Sequence, residues 1–170
     1  MFEKGEIVFY KNIGVCMVDG ITRLDFALDP RQKYYVMRSI YKNGVNYVPV
    51  GGEVENIRSI ISKEEAEALI DKIKDIEPEP ILDLAVKQMT EVYEEKLNSG
   101  NPEDILDLLL SIDKKKEILY EEKKKFGAID DSYLKKAIDM FYEETAAALG
   151  LKKEAMGKYI EERTGFTLTV

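Results

Sequence analysis

Ile57-Arg58-Ser59-Ile60-Ile61-Ser62-Lys63-Glu64-Glu65-Ala66, residues 57–66, is where the chain changes period. The first half is rich in isoleucine and reads as a short strand. The second half is a capping box. The Ser62 hydroxyl is placed to accept an orphan N–H of a first helical turn, and the Glu65 carboxylate to reach back to the Ser62 N–H. Ala66, Leu69, Ile70 and Ile73 then fall on one helical stripe. The sequence therefore predicts two domains, residues 1–61 built of strands and residues 62–170 built of helices.

Upstream of this junction the chain reads as strands separated by turn signals. Gly5-Glu6-Ile7-Val8-Phe9-Tyr10 is the first strand and Gly14-Val15-Cys16-Met17-Val18-Asp19-Gly20-Ile21 the second. Asp29-Pro30-Arg31 is a turn, and Lys33 to Tyr41 is a third strand of β-branched and aromatic residues. Asn43-Gly44 predicts a two-residue type I′ hairpin, because both central positions of that turn need φ > 0. Val45-Asn46-Tyr47-Val48 returns, and Pro49 assigns its far end to a sheet edge or a bulge. With Ile57–Ile61 as the fifth strand, the expectation is a small SH3-like or Tudor-like five-stranded β-barrel, which can close a core at this size.

Downstream, Pro78 and Pro80 end the helix opened at Ser62 and start a second one carrying Leu82, Ala85, Met89 and Val92. Asn98-Ser99-Gly100 stops it. Asn101-Pro102-Glu103-Asp104 supplies an N-cap, a proline at the first helical position and acids in the first turn. That third helix carries Ile105, Leu108, Leu109, Ile112 and Leu119 up to Phe126-Gly127. A fourth runs from Asp130 or Asp131 to Gly150 with Leu134, Ala137, Ile138 and Phe141, and a fifth includes Met156, Tyr159 and Ile160. The tail Gly165–Val170 reads ambiguously, with a docked extended segment as the one reading it offers.

Composition narrows the function. The 170 residues include no histidine, no tryptophan and one cysteine. Absence of histidine removes the commonest general acid–base near neutral pH, every Cys/His zinc site and the His-bearing di-iron motif. Cys16 lacks a His partner and reads as a small strand hydrophobe. Gly51-Gly52 lacks the Lys-Ser/Thr of a phosphate loop. The adjacent acids Glu64-Glu65, Glu94-Glu95, Glu121-Glu122, Glu143-Glu144 and Glu161-Glu162 point about 100° apart on a helix, so none offers two carboxylates to one metal. They read as solvated faces. A non-catalytic protein with no cofactor is expected. No apolar run approaches the roughly 20 residues of a membrane span, and the first residues lack a signal peptide's basic and apolar regions, so a cytoplasmic location is expected.

Charge is unevenly placed. Through Ile60 there are 8 Lys/Arg against 7 Asp/Glu, a net of +1, and the remainder holds 17 against 26, a net of −9. An acidic domain repels phosphate and must use a local basic patch to meet nucleic acid. Lys114-Lys115-Lys116 and Lys123-Lys124-Lys125 are the densest basic runs, and Lys116 and Lys123, seven apart, are expected on one helix face. Asp113, Glu117, Glu121 and Glu122 interrupt them, which favours a solvated face. Tyr34, Tyr35, Tyr41 and Tyr47 crowd the hairpin, where some are core and some are suited to protein contact.

The N-terminal residues resemble the CarD-like (CarD/CdnL) family of bacterial transcription regulators, whose first domain is shared with the transcription-repair coupling factor. The resemblance is carried by Phe2, Gly5, Ile7-Val8, Tyr10, Gly14-Val15, Val18, Ile21, Tyr34-Tyr35-Val36-Met37 and Val48-Pro49. Lys11, Ile13 and Cys16 stand where the family's opening has Pro, His and Gly. Glu95-Lys96-Leu97-Asn98-Ser99-Gly100-Asn101 is similar to the family's Glu-Lys-Leu-x-Ser-Gly-Asp segment, and Tyr133-Leu134-x-x-Ala137 to a late-helix pattern.

The resemblance implies a barrel that pairs edge strands with the β subunit of RNA polymerase, with Arg23, Arg38 and Tyr47 on or beside the contact. It implies a helical domain that reaches promoter DNA and modulates initiation. The family's wedge tryptophan aligns with Val86, followed here by Lys87, Gln88 and Met89. With Lys116 and Lys123, Val86 and Lys87 are the DNA-contact candidates. The residues themselves leave a second reading open, a Tudor-like barrel acting as a peptide clamp with no transcription role. Oligomeric state is left open.

Overall fold

The alternation read upstream of Ile61 becomes five strands: β1 (Ile7–Tyr10), β2 (Gly14–Arg23), β3 (Lys33–Ser39), β4 (Val45–Pro49) and β5 (Ile57–Ser59). The computed structural model describes residues 1–11, 13–52 and 56–170. It divides the chain into two units, Met1–Ile60 and Ile61–Val170. In the first unit the strands form one sheet in the order β4-β3-β2-β1-β5, with every pairing antiparallel. Among the described residues no pairing joins β4 to β5. The expected barrel is thus an open sheet with two edges.

One face of that sheet holds the core. Val8, Cys16, Val18, Tyr35, Met37, Val48 and Ile57 are buried together, and Phe2, Tyr10, Ile13 and Val50 pack against them. Burying a side chain such as Met37 contributes about 1.5–3 kcal/mol. Phe2 closes one end: its ring meets Tyr35 edge-on at 5.8 Å, and its N–H donates to the Tyr35 hydroxyl at 3.2 Å. The register of β2 against β3 shifts between Val18 and Gly20. Asp19 is the extra residue of a β-bulge, and Gly20 at φ 142° absorbs the local twist.

The Asn43-Gly44 hairpin differs from expectation. β3 ends at Ser39 and β4 begins at Val45. Gly44 has φ 143° while Asn43 is not among the positive-φ residues, so the two-residue I′ turn is not made. The loop closes instead through the Ser39 N–H and the Gly44 carbonyl at 3.2 Å.

The second unit contains α1 (Lys63–Asp71), α2 (Val86–Asn98), α3 (Pro102–Glu121), α4 (Ala128–Leu149) and α5 (Met156–Thr164). The capping box at Ser62 is formed in both directions, and Asn101 caps α3 by accepting the Glu103 N–H at 2.9 Å. A 3-10 turn, Lys72–Asp75, follows α1. The two prolines lie in a segment without regular structure instead of starting a helix, and α2 begins only at Val86. Leu82 and Ala85 are therefore exposed outside it, and its buried stripe is Met89, Tyr93 and Leu97.

A buried polar cluster ties α2, α3 and α4. Asp130 accepts the Tyr93 hydroxyl at 2.7 Å and the Lys115 ammonium at 3.0 Å. Lys115 also lies 3.2 Å from the Met89 sulfur. Burial and the Asp130 carboxylate push the Tyr93 phenol far above its ordinary value. Glu94 accepts from the Tyr133 hydroxyl, which raises that phenol to about 12.

Glu143 and Glu144 correct the expectation of a solvated pair, because both are buried. Lys153 reaches Glu143 at 3.3 Å, and Glu144 accepts the Ile61 N–H at 3.1 Å. The tail is docked: buried Asp113 accepts the Thr169 N–H at 2.8 Å and its hydroxyl at 3.2 Å. Arg163 of α5 clasps Asp71 of α1 with two bonds of 2.7 and 3.0 Å, which holds the Asp71 carboxyl below its usual range.

Candidate functional site

Strand β4 is the longer of the two sheet edges, five residues against three for β5. The Val50 N–H donates to the Lys33 carbonyl at 2.9 Å and the Ser39 N–H to the Gly44 carbonyl at 3.2 Å. These bonds fix the alternation of the ladder between them. Asn46 and Val48 face β3 with their main-chain groups, and Val45, Tyr47 and Pro49 face away. Pro49 has no N–H to offer, which costs nothing at an outward position. Its carbonyl takes the Gly52 N–H at 3.2 Å. The open edge is thus the N–H and C=O of Val45 and Tyr47. A strand added there gains hydrogen bonds worth about 0.5–1.5 kcal/mol each.

The same two residues present their side chains on the face opposite the core, at 48% and 47% exposure. Val45 stands across from Arg38 and Tyr47 across from Val36. Arg38 is itself held: its guanidinium meets the bulge residue Asp19 at 3.1 Å. The bulge thus turns the Asp19 carboxylate toward the outer face and orients the arginine. Arg38 and Tyr47 are brought together diagonally on this face. Arg23 is not. It pairs with Lys33 at the far end of β2 and β3, in the row that continues the core face. Val36 and Val45 belong to the outer face and were missed in the sequence. Four apolar residues in succession, Tyr34 to Met37, give no alternation from which to choose a face.

The DNA candidates lie in the second unit. Val86 opens α2 at 56% exposure, and Lys87 follows it, exposed. The short Ser99–Asn101 connection makes α2 and α3 antiparallel, and the contact of Met89 with Lys115 sets the start of α2 against the second half of α3. Lys116 sits there with its ammonium 5.6 Å above the Phe126 ring. Lys123 does not share a helix face with it, since α3 ends at Glu121 and Lys123 has φ 57°. Glu117, Glu121 and Glu122 remain interleaved with these cations.

Among the described residues no group of three or more His, Cys, Asp or Glu could hold a metal ion. No described helix is long and apolar enough to cross a membrane. No curated protein matches the chain in sequence. Residues 2–61 match the CarD-like/TRCF RID domain, and that span coincides with the open sheet and its β4 edge. The N-terminal unit is thus similar over its whole length to the CarD-like/TRCF RID domain, and the match does not extend into the helical unit.

Proposed function

We propose that this protein is a non-catalytic accessory factor of the bacterial cytoplasm that docks on the β subunit of RNA polymerase through strand β4 and modulates transcription initiation. The observation that carries the reading is the open edge of Val45 and Tyr47, whose outward N–H and C=O groups have no hydrogen-bond partner among the described residues. A polymerase strand laid along β4 would pair with those groups while its side chains meet Tyr47, Val36 and Arg38. Promoter DNA takes a smaller part in this reading. Val86, Lys87 and Lys116, on the paired ends of α2 and α3, are the contacts, with Lys123 just beyond α3. The acids between them keep that contact weak. A histidine-free sequence supports a binding role over a catalytic one.

The test is capture of RNA polymerase from bacterial lysate on the tagged protein. The β subunit is expected in the retained fraction, and Arg38→Glu is expected to weaken retention. The paired exchange Asp19→Arg with Arg38→Asp, which keeps the local ion pair, separates loss of charge from loss of orientation. Failure of the unaltered protein to retain polymerase would favour a peptide-binding module with another partner.

A further inference from the structure

We propose that the β2–β3 loop is a second anchor on the same partner, with Phe26 and Leu28 inserting into an apolar cleft of RNA polymerase beside the strand that β4 receives. This rests on the docking reading above and adds residues that neither the resemblance nor the β4 edge supplied.

The loop is built, not slack. The Ala27 N–H donates to the Leu24 carbonyl at 3.2 Å and the Gln32 N–H to the Asp29 carbonyl at 3.1 Å, so it consists of two hydrogen-bonded turns. The Asp29 carboxylate adds a bond from the Arg31 N–H at 2.9 Å. A loop so closed on itself has little main-chain freedom left to lose on binding. Yet it holds Phe26 at 84% exposure and Leu28 fully exposed. Two large apolar side chains carried outward on an ordered loop are what a protein anchor needs and what a merely connecting loop avoids.

Its position relative to the edge is also fixed. The Gln32 side-chain amide donates to the Lys33 carbonyl at 2.7 Å and to the Val50 carbonyl at 3.3 Å. Those are the root of the loop and the exit of β4, already joined by the Val50 N–H on the Lys33 carbonyl. A partner strand running along β4 past Pro49 therefore meets the end of the sheet from which this loop projects. Arg23, which the outer face does not gather, pairs with Lys33 at that same end. With Arg31 it gives the apolar tip a basic flank, offset by Asp25 and Asp29. The cleft that fits is apolar with a mixed polar rim, as in a protein interface. A phosphate surface would need a net cationic tip.

The experiment measures binding of the full chain to purified RNA polymerase core enzyme by surface-immobilised kinetics, with melting temperature and sedimentation recorded for each variant. Phe26→Ser with Leu28→Ser is expected to leave the melting temperature unchanged, since both side chains are outside the core. It should weaken binding at least tenfold, chiefly through faster dissociation. Gln32→Ala, which unties the loop root while keeping both apolar side chains, is expected to give a smaller loss. Binding within twofold of the unaltered protein in the Phe26/Leu28 variant, with Tyr47→Pro abolishing it, would overturn the loop anchor and leave the edge reading standing. No binding by the unaltered protein would overturn both. An unaltered dimer that the Phe26/Leu28 variant converts to monomer, at unchanged polymerase affinity, would assign the tip to a second copy and also overturn the proposal.

Discussion

Lys123 is the only described non-glycine residue with φ > 0. It sits one position past the C-cap of α3, where its N–H bonds the Tyr120 carbonyl at 3.1 Å and the Lys124 N–H bonds the Leu119 carbonyl at 2.7 Å. That pair of bonds is a Schellman motif with lysine in glycine's place. A left-handed lysine costs about 1–2 kcal/mol, and glycine gives back part of that in unfolded-state entropy. Lys123→Gly is expected to raise stability by about 0.5–1 kcal/mol in chemical denaturation. The sequence hid this helix end because no glycine marks it. Asp113 gives a second expectation. Burial, opposed by the Thr169 hydrogen bonds and Lys116, raises its pKa. A carboxyl whose folded pKa lies above its unfolded value favours the fold below the unfolded value, near 3.9, and loses that contribution as pH rises through the folded one. Asp113→Asn keeps an acceptor for the Thr169 N–H. It should therefore melt higher than the unaltered protein at pH 7, with the gap narrowing toward pH 4.

At the scale of elements, the helix starts at Ser62 and Asn101 were legible because each cap is decided within four residues. The start of α2 was not. Prolines at 78 and 80 fit an irregular segment as well as a first turn, and the choice depends on packing beyond the local sequence. Burial of Glu143 and Glu144 was equally hidden, since their partners Lys153 and Ile61 lie 10 and 83 residues away. For the sheet, the strands were legible and Pro49 pointed to an edge or a bulge at the far end of β4, but an edge open along the whole strand follows from topology, which no local signal carries. That edge is testable with one residue type at two adjacent positions. Tyr47→Pro removes an outward N–H and should leave the melting temperature nearly unchanged while abolishing polymerase capture. Asn46→Pro removes an inward donor to Met37 and should cost about 1–3 kcal/mol by orphaning that carbonyl, measured by thermal denaturation.

Across the molecule, charge divides as the fold does, with a net of +1 before Ile61 and −9 after it. Affinity for free duplex is therefore expected to be weak at physiological salt and to fall steeply between about 50 and 200 mM, as read by fluorescence anisotropy. Affinity for polymerase should change far less over that range, because main-chain pairing and apolar contact are poorly screened. The Arg163–Asp71 clasp has a further consequence for synthesis on the ribosome. All the strands lie within the first 60 residues, so the sheet can close as soon as that stretch is clear of the exit tunnel. The helix opened at Ser62 must wait for a side chain translated 92 positions after Asp71. Nascent chains stalled before residue 163 should carry a finished first unit, while α1 remains open to chaperones and proteases.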